Sequence, residues 1–95
     1  MRTRIIAPPQ DASVIKGSTF DIQCGVTHDP TVTVYWHWHH NSNPIPANDD
    51  RRQVQGDGRL EIRSIRNDDI GMYRCDVVST GGNDTAGANI KVIGE

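Results

Sequence analysis

The two cysteines of this chain, Cys24 and Cys75, are the side chains whose chemistry the sequence constrains most tightly. Each lies in a run in which apolar and polar residues alternate, and such alternation places every second side chain on the buried face of a β-strand. Buried thiols that are far apart in the sequence have neither the exposure of a reactive cysteine nor the ligand spacing of a zinc site. We therefore predict that the pair forms a structural disulfide.

Histidines supply the second group of side chains with chemical potential. His37 and His39 alternate with two tryptophans, so they share the outward face of one predicted strand. Zinc requires a third or fourth ligand, and Asp76 is the only carboxylate predicted on the neighbouring strand. We favour an exposed polar face, followed by a pH-sensitive contact surface, because histidine titrates near neutrality. A metal site is the least favoured interpretation, and we predict neither a metal nor a cofactor.

The paired carboxylates Asp49-Asp50 and Asp68-Asp69 raise the question of calcium binding or acid–base catalysis. Neighbouring residues on one loop do not form an oxygen cage, and no further run of ligands follows them. Turn and corner structure explains both pairs. The sequence also contains no identifiable Ser-His-Asp set, phosphate-binding glycine loop or catalytic carboxylate pair. We predict that the protein is not an enzyme.

One segment, Asn83-Asp84-Thr85, matches the Asn-x-Ser/Thr acceptor pattern for N-linked glycosylation. It falls on a predicted exposed hairpin over residues 81–84, where a glycan can be accommodated. Asn83 is therefore the candidate glycosylation site.

The elements that must position these residues are strands. Short runs of alternating polarity are separated by turn residues about every ten positions, and no helical periodicity extends over three turns. Ile5-Ile6 followed by Pro8-Pro9 predicts an edge strand that is broken and switches between sheets. Seven or eight short antiparallel strands predict an all-β, two-sheet sandwich forming one domain over residues 1–95.

Net charge and hydropathy exclude several classes of partner. The formal net charge is −2 and the isoelectric point is about 6.0, which gives no electrostatic footprint for nucleic acid or an anionic membrane. No run approaches the ~20 apolar residues needed to span a bilayer, and the polar start of the chain does not resemble a signal peptide. If the parent protein is secreted or membrane-anchored, we expect those signals elsewhere in it.

Three features occur together at fixed spacings: the cysteine pair, Trp38 downstream of Cys24, and Tyr73 two residues before Cys75. Trp38 is placed to pack on a disulfide between the sheets, and the Tyr73 hydroxyl is placed to bond back to upstream backbone as a tyrosine corner. With these features the chain resembles immunoglobulin domains of the I-set over nearly its whole length. The resemblance implies an immunoglobulin-like antiparallel β-sandwich with an inter-sheet disulfide.

The I-set resemblance also implies a structural ion pair at the corner. In this family an arginine that opens the fourth strand commonly pairs with the corner aspartate; Arg52 with Asp69 is the favoured match, and Arg51 is the alternative. The segment Trp38-His39-His40-Asn41-Ser42 resembles the family's Trp-x-Lys-Asp-Gly, with histidine in the lysine position and serine in the glycine position. This departure leaves the conformation of the following turn open.

A narrower resemblance comes from Cys24-Gly25-Val26-Thr27-His28-Asp29-Pro30, which is similar to the last immunoglobulin domain of neuronal adhesion proteins of the sidekick, contactin and L1 groups. Residues 3–9 and 81–84 resemble sidekick most closely. These similarities imply an extracellular protein-interaction or spacer module, a fragment of a larger single-pass cell-surface glycoprotein that acts in homophilic or heterophilic neuronal adhesion and at synapses. Two alternatives stay open: an intracellular I-set domain of a muscle scaffold protein, and an ectodomain module of a ligand-binding receptor.

We expect protein partners to bind the outward face of the sheet that contains the histidine strand. Its mixture of imidazole, both charge signs and an aliphatic side chain suits a moderate protein contact, and would equally suit solvent. Expected partners are neighbouring immunoglobulin or fibronectin-type modules, a second copy of the chain or another cell-surface protein, without nucleic acid or direct membrane contact. The predicted contact face consists of His37, His39, Arg74, Asp76, Val78, Asn89 and Lys91.

Overall fold

Alternating apolar and polar residues form ten β-strands in the computed structural model, which describes residues 1–94. Glu95, the last residue of the predicted domain, lies outside the described range. Within that range no helix has the length and apolar character to cross a membrane. The elements are β1 (Arg4–Ala7), β2 (Ala12–Ile15), β3 (Phe20–Ile22), β4 (Gly25–Thr27), β5 (Tyr35–His40), β6 (Asn43–Pro44), β7 (Arg52–Val54), β8 (Leu60–Ile62), a 3-10 turn (Asn67–Asp69), β9 (Gly71–Ser79) and β10 (Gly82–Ile93).

Two layers of strands face each other across the core. One layer is a five-stranded sheet in the order β2-β10-β9-β5-β6, and the other consists of the β3-β8-β7 sheet and the β1-β4 ladder. Every pair is antiparallel except β2, which runs parallel to β10. The strand number exceeds the prediction because the run from Phe20 to Thr27 is interrupted between β3 and β4, and because β6 adds a two-residue strand.

The first strand region is divided between the two layers, as Pro8 and Pro9 predict. β1 pairs with β4 in one layer, and after the prolines β2 pairs with β10 in the other. Proline cannot donate a backbone hydrogen bond, so a ladder is interrupted where two prolines follow one another. The N-terminal segment therefore contacts both layers, and the predicted switch between sheets is confirmed.

The core lies between the layers and is formed by the inward-facing residues of both. In β9, Tyr73, Cys75 and Val77 are buried at every second position, whereas the side chains between them reach the surface. Full burial of one large apolar side chain contributes about 1.5–3 kcal/mol, so this alternation determines which face each strand presents. The buried apolar residues are Val14, Ile22, Cys24, Trp38, Leu60, Ile62, Ile65, Tyr73, Cys75, Val77, Ala88 and Ile90.

The hairpin between β9 and β10 is tighter than the sequence predicts. β9 continues to Ser79 and β10 begins at Gly82, so the turn contains only Thr80 and Gly81. Gly82 has a φ of 133°, a conformation that glycine adopts readily and that closes the turn early. Asn83, predicted on the hairpin turn, is consequently a strand residue.

Candidate contact face

The disulfide joins the two layers beneath the candidate contact face. Cys24 lies between β3 and β4, Cys75 lies in β9, and their Cα atoms are 6.5 Å apart. Trp38 is directly opposite Cys75 in the β5–β9 register, is buried, and donates its Nε1–H to the Gly58 carbonyl at 2.9 Å. The predicted disulfide is confirmed, and the tryptophan lies beside its β9 end.

The corner before β9 is held by a buried hydrogen bond. The Tyr73 hydroxyl donates to the backbone carbonyl of Asp69 at 2.7 Å, which is the geometry of a tyrosine corner. Burial, together with the nearby negative charge of Asp69, raises the pKa of Tyr73 to about 12, so the phenol keeps its proton and remains a donor.

We expect Tyr73→Phe to lower the free energy of unfolding by about 1–2 kcal/mol, because the buried Asp69 carbonyl loses its partner. Tyr35→Phe is the matched control, since Tyr35 is exposed and the same atom is removed. Its effect should stay within about 0.5 kcal/mol, as is usual for surface changes. Urea unfolding measures both values, and equal effects of the two substitutions would contradict this role for the Tyr73 hydroxyl.

The corner ion pair uses Arg51, so the favoured assignment of Arg52 is wrong. Arg51 donates through Nη1 to Asp69 Oδ2 at 2.9 Å and through Nη2 to Asp69 Oδ1 at 3.0 Å. Arg52 instead donates through Nε and Nη2 to Asp49 Oδ2, at 3.3 and 3.1 Å. Of the two adjacent arginines, only Arg51 hydrogen-bonds to the Asp69 carboxylate.

Asp49 explains which arginine turns toward the corner. Its Oδ1 accepts the backbone N–H groups of both Arg51 and Arg52 at 2.9 Å, which holds the carboxylate next to the Arg52 side chain. Burial would raise the pKa of Asp49, but these hydrogen bonds and the Arg52 charge outweigh it and hold the pKa below its usual range. Arg51 is left to pair with Asp69.

His40, which is partly exposed, belongs to the same corner. Its ring stacks on Tyr73 with 4.5 Å between centroids, and its Nε2 lies 2.8 Å from the Ile70 carbonyl. With the proton on Nε2, the ring donates to that carbonyl, and Nδ1 accepts from Arg52 Nη1 at 3.2 Å. The turn that follows, left open by the sequence, contains Asn41 and Ser42, both with positive φ.

All seven residues of the predicted contact face reach the outer surface of the five-stranded sheet, fully or in part. His37 lies opposite Asp76, and His39 lies opposite Arg74. Asn89 lies one strand away, opposite Met72, whereas Lys91 lies near the edge, opposite Ser13 of β2. The structure therefore brings five of the seven together on β5 and β9, with Asn89 and Lys91 beside them on β10.

A polar network occupies the centre of this face. Arg74 Nε and Nη2 donate to Asp76 at 3.0 and 3.2 Å, Thr85 Oγ1 donates to Asp76 Oδ1 at 2.6 Å, and His39 Nδ1 lies 3.5 Å from Asp76 Oδ2. Burial would raise the pKa of Asp76, but the hydrogen bonds and the Arg74 charge hold it below its usual range. The Asp76 carboxylate is therefore ionised and already hydrogen-bonded to Arg74 and Thr85. Among residues 1–94, no three side chains are grouped as ligands for a metal ion.

Two exposed apolar residues on this face were missed as contact residues by the sequence analysis. Tyr35 is 59% exposed and lies opposite Val78, and Met72 is 44% exposed at the other end of β9. Strand alternation predicts both positions, because Tyr35 is two residues from His37 and Met72 is two residues from Arg74, and residues two apart on a strand share a face. The face thus has a Tyr35 end (Tyr35 and Val78), a polar centre (His39, Arg74 and Asp76) and a Met72 end (Met72 and Asn89).

The family model described as immunoglobulin I-set domain matches residues 3–92. The chain belongs to this family. This I-set domain is 45% identical over 92 residues to protein sidekick-2 of Gallus gallus, an alignment that covers 96% of this chain and 4% of that protein. It is 45% identical over 96 residues to protein sidekick of Drosophila melanogaster, with 98% and 4% covered. The domain therefore spans 4% of the length of these sidekick proteins.

Further relatives and solved structures extend the comparison. The I-set domain is 34% identical over 95 residues to neural cell adhesion molecule L1.1 of Danio rerio, covering 96% of this chain and 8% of that protein. The solved sidekick-1 immunoglobulin domains 1–4 match with a TM-score of 0.84 at 21% identity, covering 97% of this chain and 24% of that chain. At such identity the likeness shows the fold alone. The predicted immunoglobulin-like sandwich and the I-set and sidekick resemblances are confirmed.

Proposed function

We propose that this I-set domain is a non-catalytic protein-interaction module of an extracellular cell-adhesion receptor anchored by a single membrane span elsewhere in its chain. The 45% identity to sidekick proteins and the 34% identity to a neural cell adhesion molecule support an adhesion role. The observation that carries the proposal is the arrangement of the outer sheet face, where exposed Met72 lies two positions from Arg74, whose charge is paired with that of Asp76.

The exposure and residue types of the polar centre suit contact with a protein surface. Gly87 lies opposite Arg74 on β10, so the position that faces Arg74 on that strand carries no side chain. The Arg74 side chain is 42% exposed, and Met72 offers apolar surface two positions away. Arginine and methionine are both enriched in protein interfaces, arginine because its planar group forms several directed hydrogen bonds.

The charges of this face also suit association with a second copy. Arg74 and Lys91 are positive and Asp76 is negative, so a two-fold contact can place the basic group of one copy near the acidic group of the other. Such a contact would mediate homophilic adhesion, while a neighbouring module or a different cell-surface protein would use the same groups. We expect the face to form a weak contact that becomes effective when receptors are clustered.

Sedimentation velocity of the domain over a concentration series tests this function. We expect reversible self-association, weakened at least tenfold by Arg74→Glu, because the reversed charge faces Asp76 of the second copy. Arg63→Glu is the matched control: Arg63 pairs with Glu61 two residues away at 2.8 Å, as Arg74 pairs with Asp76, but on the opposite layer. The control variant should associate like the unmodified domain.

Beads coated with either variant and added to cells that display sidekick receptors extend the test to a heterophilic contact. A domain that stays monomeric and does not bind these cells, or that is affected equally by both substitutions, would contradict the contact role. The remaining role would then be that of a spacer between neighbouring modules.

A further inference from the structure

We propose that Asn83 carries an N-linked glycan whose first N-acetylglucosamine packs against Tyr35 across Val78. This inference rests on the proposed extracellular location, because the modification occurs on proteins that enter the secretory pathway. The glycan would cover the Tyr35 end of the contact face and leave the polar centre and the Met72 end to protein partners.

The folded position of Asn83 is compatible with a sugar on its side-chain nitrogen. The residue is exposed, and it lies on the outer face of β10. Its Oδ1 accepts a hydrogen bond from the Ser79 N–H at 3.4 Å, which engages the oxygen and not Nδ2, the atom that is modified. A glycan on Nδ2 therefore replaces no hydrogen bond of the described fold.

The backbone of the hairpin that carries Asn83 is held in place from two sides, by β9 and by the N-terminal segment. The Ser79 hydroxyl donates to the Gly82 carbonyl at 2.9 Å and lies 2.7 Å from the hydroxyl of buried Thr3. Arg2 Nη2 donates to the Asn83 carbonyl at 3.3 Å. The backbone of Asn83 is thus tied to the N-terminal segment as well as to β9.

The cross-strand register supplies a surface for the sugar. Asn83 lies opposite Val78, and Val78 lies opposite Tyr35, so the three side chains form one row across three neighbouring strands. Two strand spacings of about 4.8 Å separate Asn83 from Tyr35, a distance within the combined reach of a sugar ring and a tyrosine side chain. Val78 is 39% exposed and Tyr35 is 59% exposed, so both present uncovered apolar surface. The C–H face of a pyranose packs on such surface, and the phenol hydroxyl stays in water.

The modification is an ordinary amide glycosylation. A bond forms between Asn83 Nδ2 and C1 of the first sugar, and the bond from C1 to an oxygen of a lipid-linked pyrophosphate oligosaccharide donor breaks. That oxygen leaves with the electron pair, and Nδ2 loses one proton. Thr85 completes the acceptor sequence, and in the folded domain its hydroxyl donates to Asp76.

The first test is the mass of the domain secreted from animal cells that make only high-mannose glycans. We expect endoglycosidase H to reduce the mass to that of the polypeptide plus one N-acetylglucosamine. Asn83→Gln and Thr85→Ala should remove the sugar, whereas Thr85→Ser, the matched control, keeps both the acceptor sequence and a hydroxyl for Asp76. An unmodified mass for the wild-type domain would overturn the proposal.

The second test addresses packing, in the form that carries one N-acetylglucosamine. We expect the N-acetyl methyl proton resonance to shift upfield because of the Tyr35 ring current, with nuclear Overhauser contacts to that ring. Tyr35→Leu should abolish the shift while leaving the mass unchanged. A resonance at its free-sugar position, or a shift that persists in Tyr35→Leu, would overturn the packing.

The glycan at Asn83 and the protein contact through Arg74 can be contradicted independently of each other. A domain that carries no sugar but still associates through Arg74 overturns the glycan alone, and a glycosylated domain without Arg74-dependent contact overturns the contact alone. If Tyr35→Leu weakens self-association of the glycosylated domain, the Tyr35 end binds protein in the presence of the sugar, and the covering of that end by the glycan is overturned.

Discussion

We expect reduction of the Cys24–Cys75 disulfide to lower the thermal unfolding midpoint of the domain by roughly 15–30 °C. The bond joins residues 51 positions apart, and the loop-closure entropy it removes from the unfolded chain corresponds to about 4 kcal/mol. A domain of this size has a total stability of about 5–15 kcal/mol, so the cross-link contributes a large share. The share is large because so short a chain has only a thin core.

The measurement compares the oxidised and reduced domain by thermal unfolding, with free thiols counted in each sample. The Cys24→Ala/Cys75→Ala variant is the control: it should unfold near the reduced wild type and should not respond to reductant. A reduced domain that melts within a few degrees of the oxidised one would contradict the prediction. Such a result would also mean that the fold does not require the oxidising conditions of an extracellular location.

The parts of the structure that follow from burial were predictable from the sequence. Alternating polarity identified the inward residues of β9, and the positions of Cys24, Trp38 and Cys75 identified the disulfide and its neighbouring tryptophan. These assignments hold because a shift of one residue would turn every side chain of a strand to the wrong face. Pro8 and Pro9 likewise predicted the switch between layers, since neither can donate to a ladder.

The parts that depend on local backbone geometry were not predictable in the same way. Arg51 and Arg52 are identical in type and adjacent, and the choice between them is made by Asp49, whose carboxylate accepts both backbone N–H groups. The β9–β10 turn is placed by the positive φ of Gly82, although glycine also precedes it. The sequence shows that a turn is present, but the hydrogen bonds of the folded chain decide which residues form it.

The candidate contact face was predictable in part: its residues could be assigned from the sequence, but their interactions could not. Its residues follow from strand alternation, which also contained the signal for Tyr35 and Met72. Which of them interact does not follow, because the Asp76 network depends on the register that places Thr85 opposite Asp76 and His39 opposite Arg74. Alternation assigns a face to each side chain, and cross-strand pairing assigns its neighbours.

The second large effect that we expect is a loss of about 3 kcal/mol of stability in Arg51→Ala. Asp69 is only 1% exposed, so removing Arg51 leaves a buried carboxylate with the Arg66 N–H, at 2.9 Å, as its remaining donor. The loss lies at the lower end of the range for broken buried pairs because the Arg51 side chain is 22% exposed and water can reach the site. Urea unfolding at neutral pH measures it.

Arg52→Ala is the matched control, since it removes the same side chain one position away. Its partner Asp49 is 20% exposed and can be hydrated, so we expect a loss of about 1 kcal/mol. Had Arg52 been the partner of Asp69, the order of the two losses would be reversed. A larger loss for Arg52→Ala than for Arg51→Ala would therefore contradict the pairing.

The acid limb of the stability curve gives an independent check on the same pair. Burial would raise the pKa of Asp69, but the hydrogen bonds from Arg51 and Arg66 and the Arg51 charge outweigh it, so the pKa in the folded domain lies below the unfolded value of about 3.9. A carboxyl with a lowered folded pKa contributes stability above about pH 4 and loses it as the pH falls through the folded pKa. We expect the stability difference between the wild type and Arg51→Ala to shrink over that window. A difference that stays constant from pH 7 to pH 2 would show that Arg51 does not hold Asp69 in its ionised form.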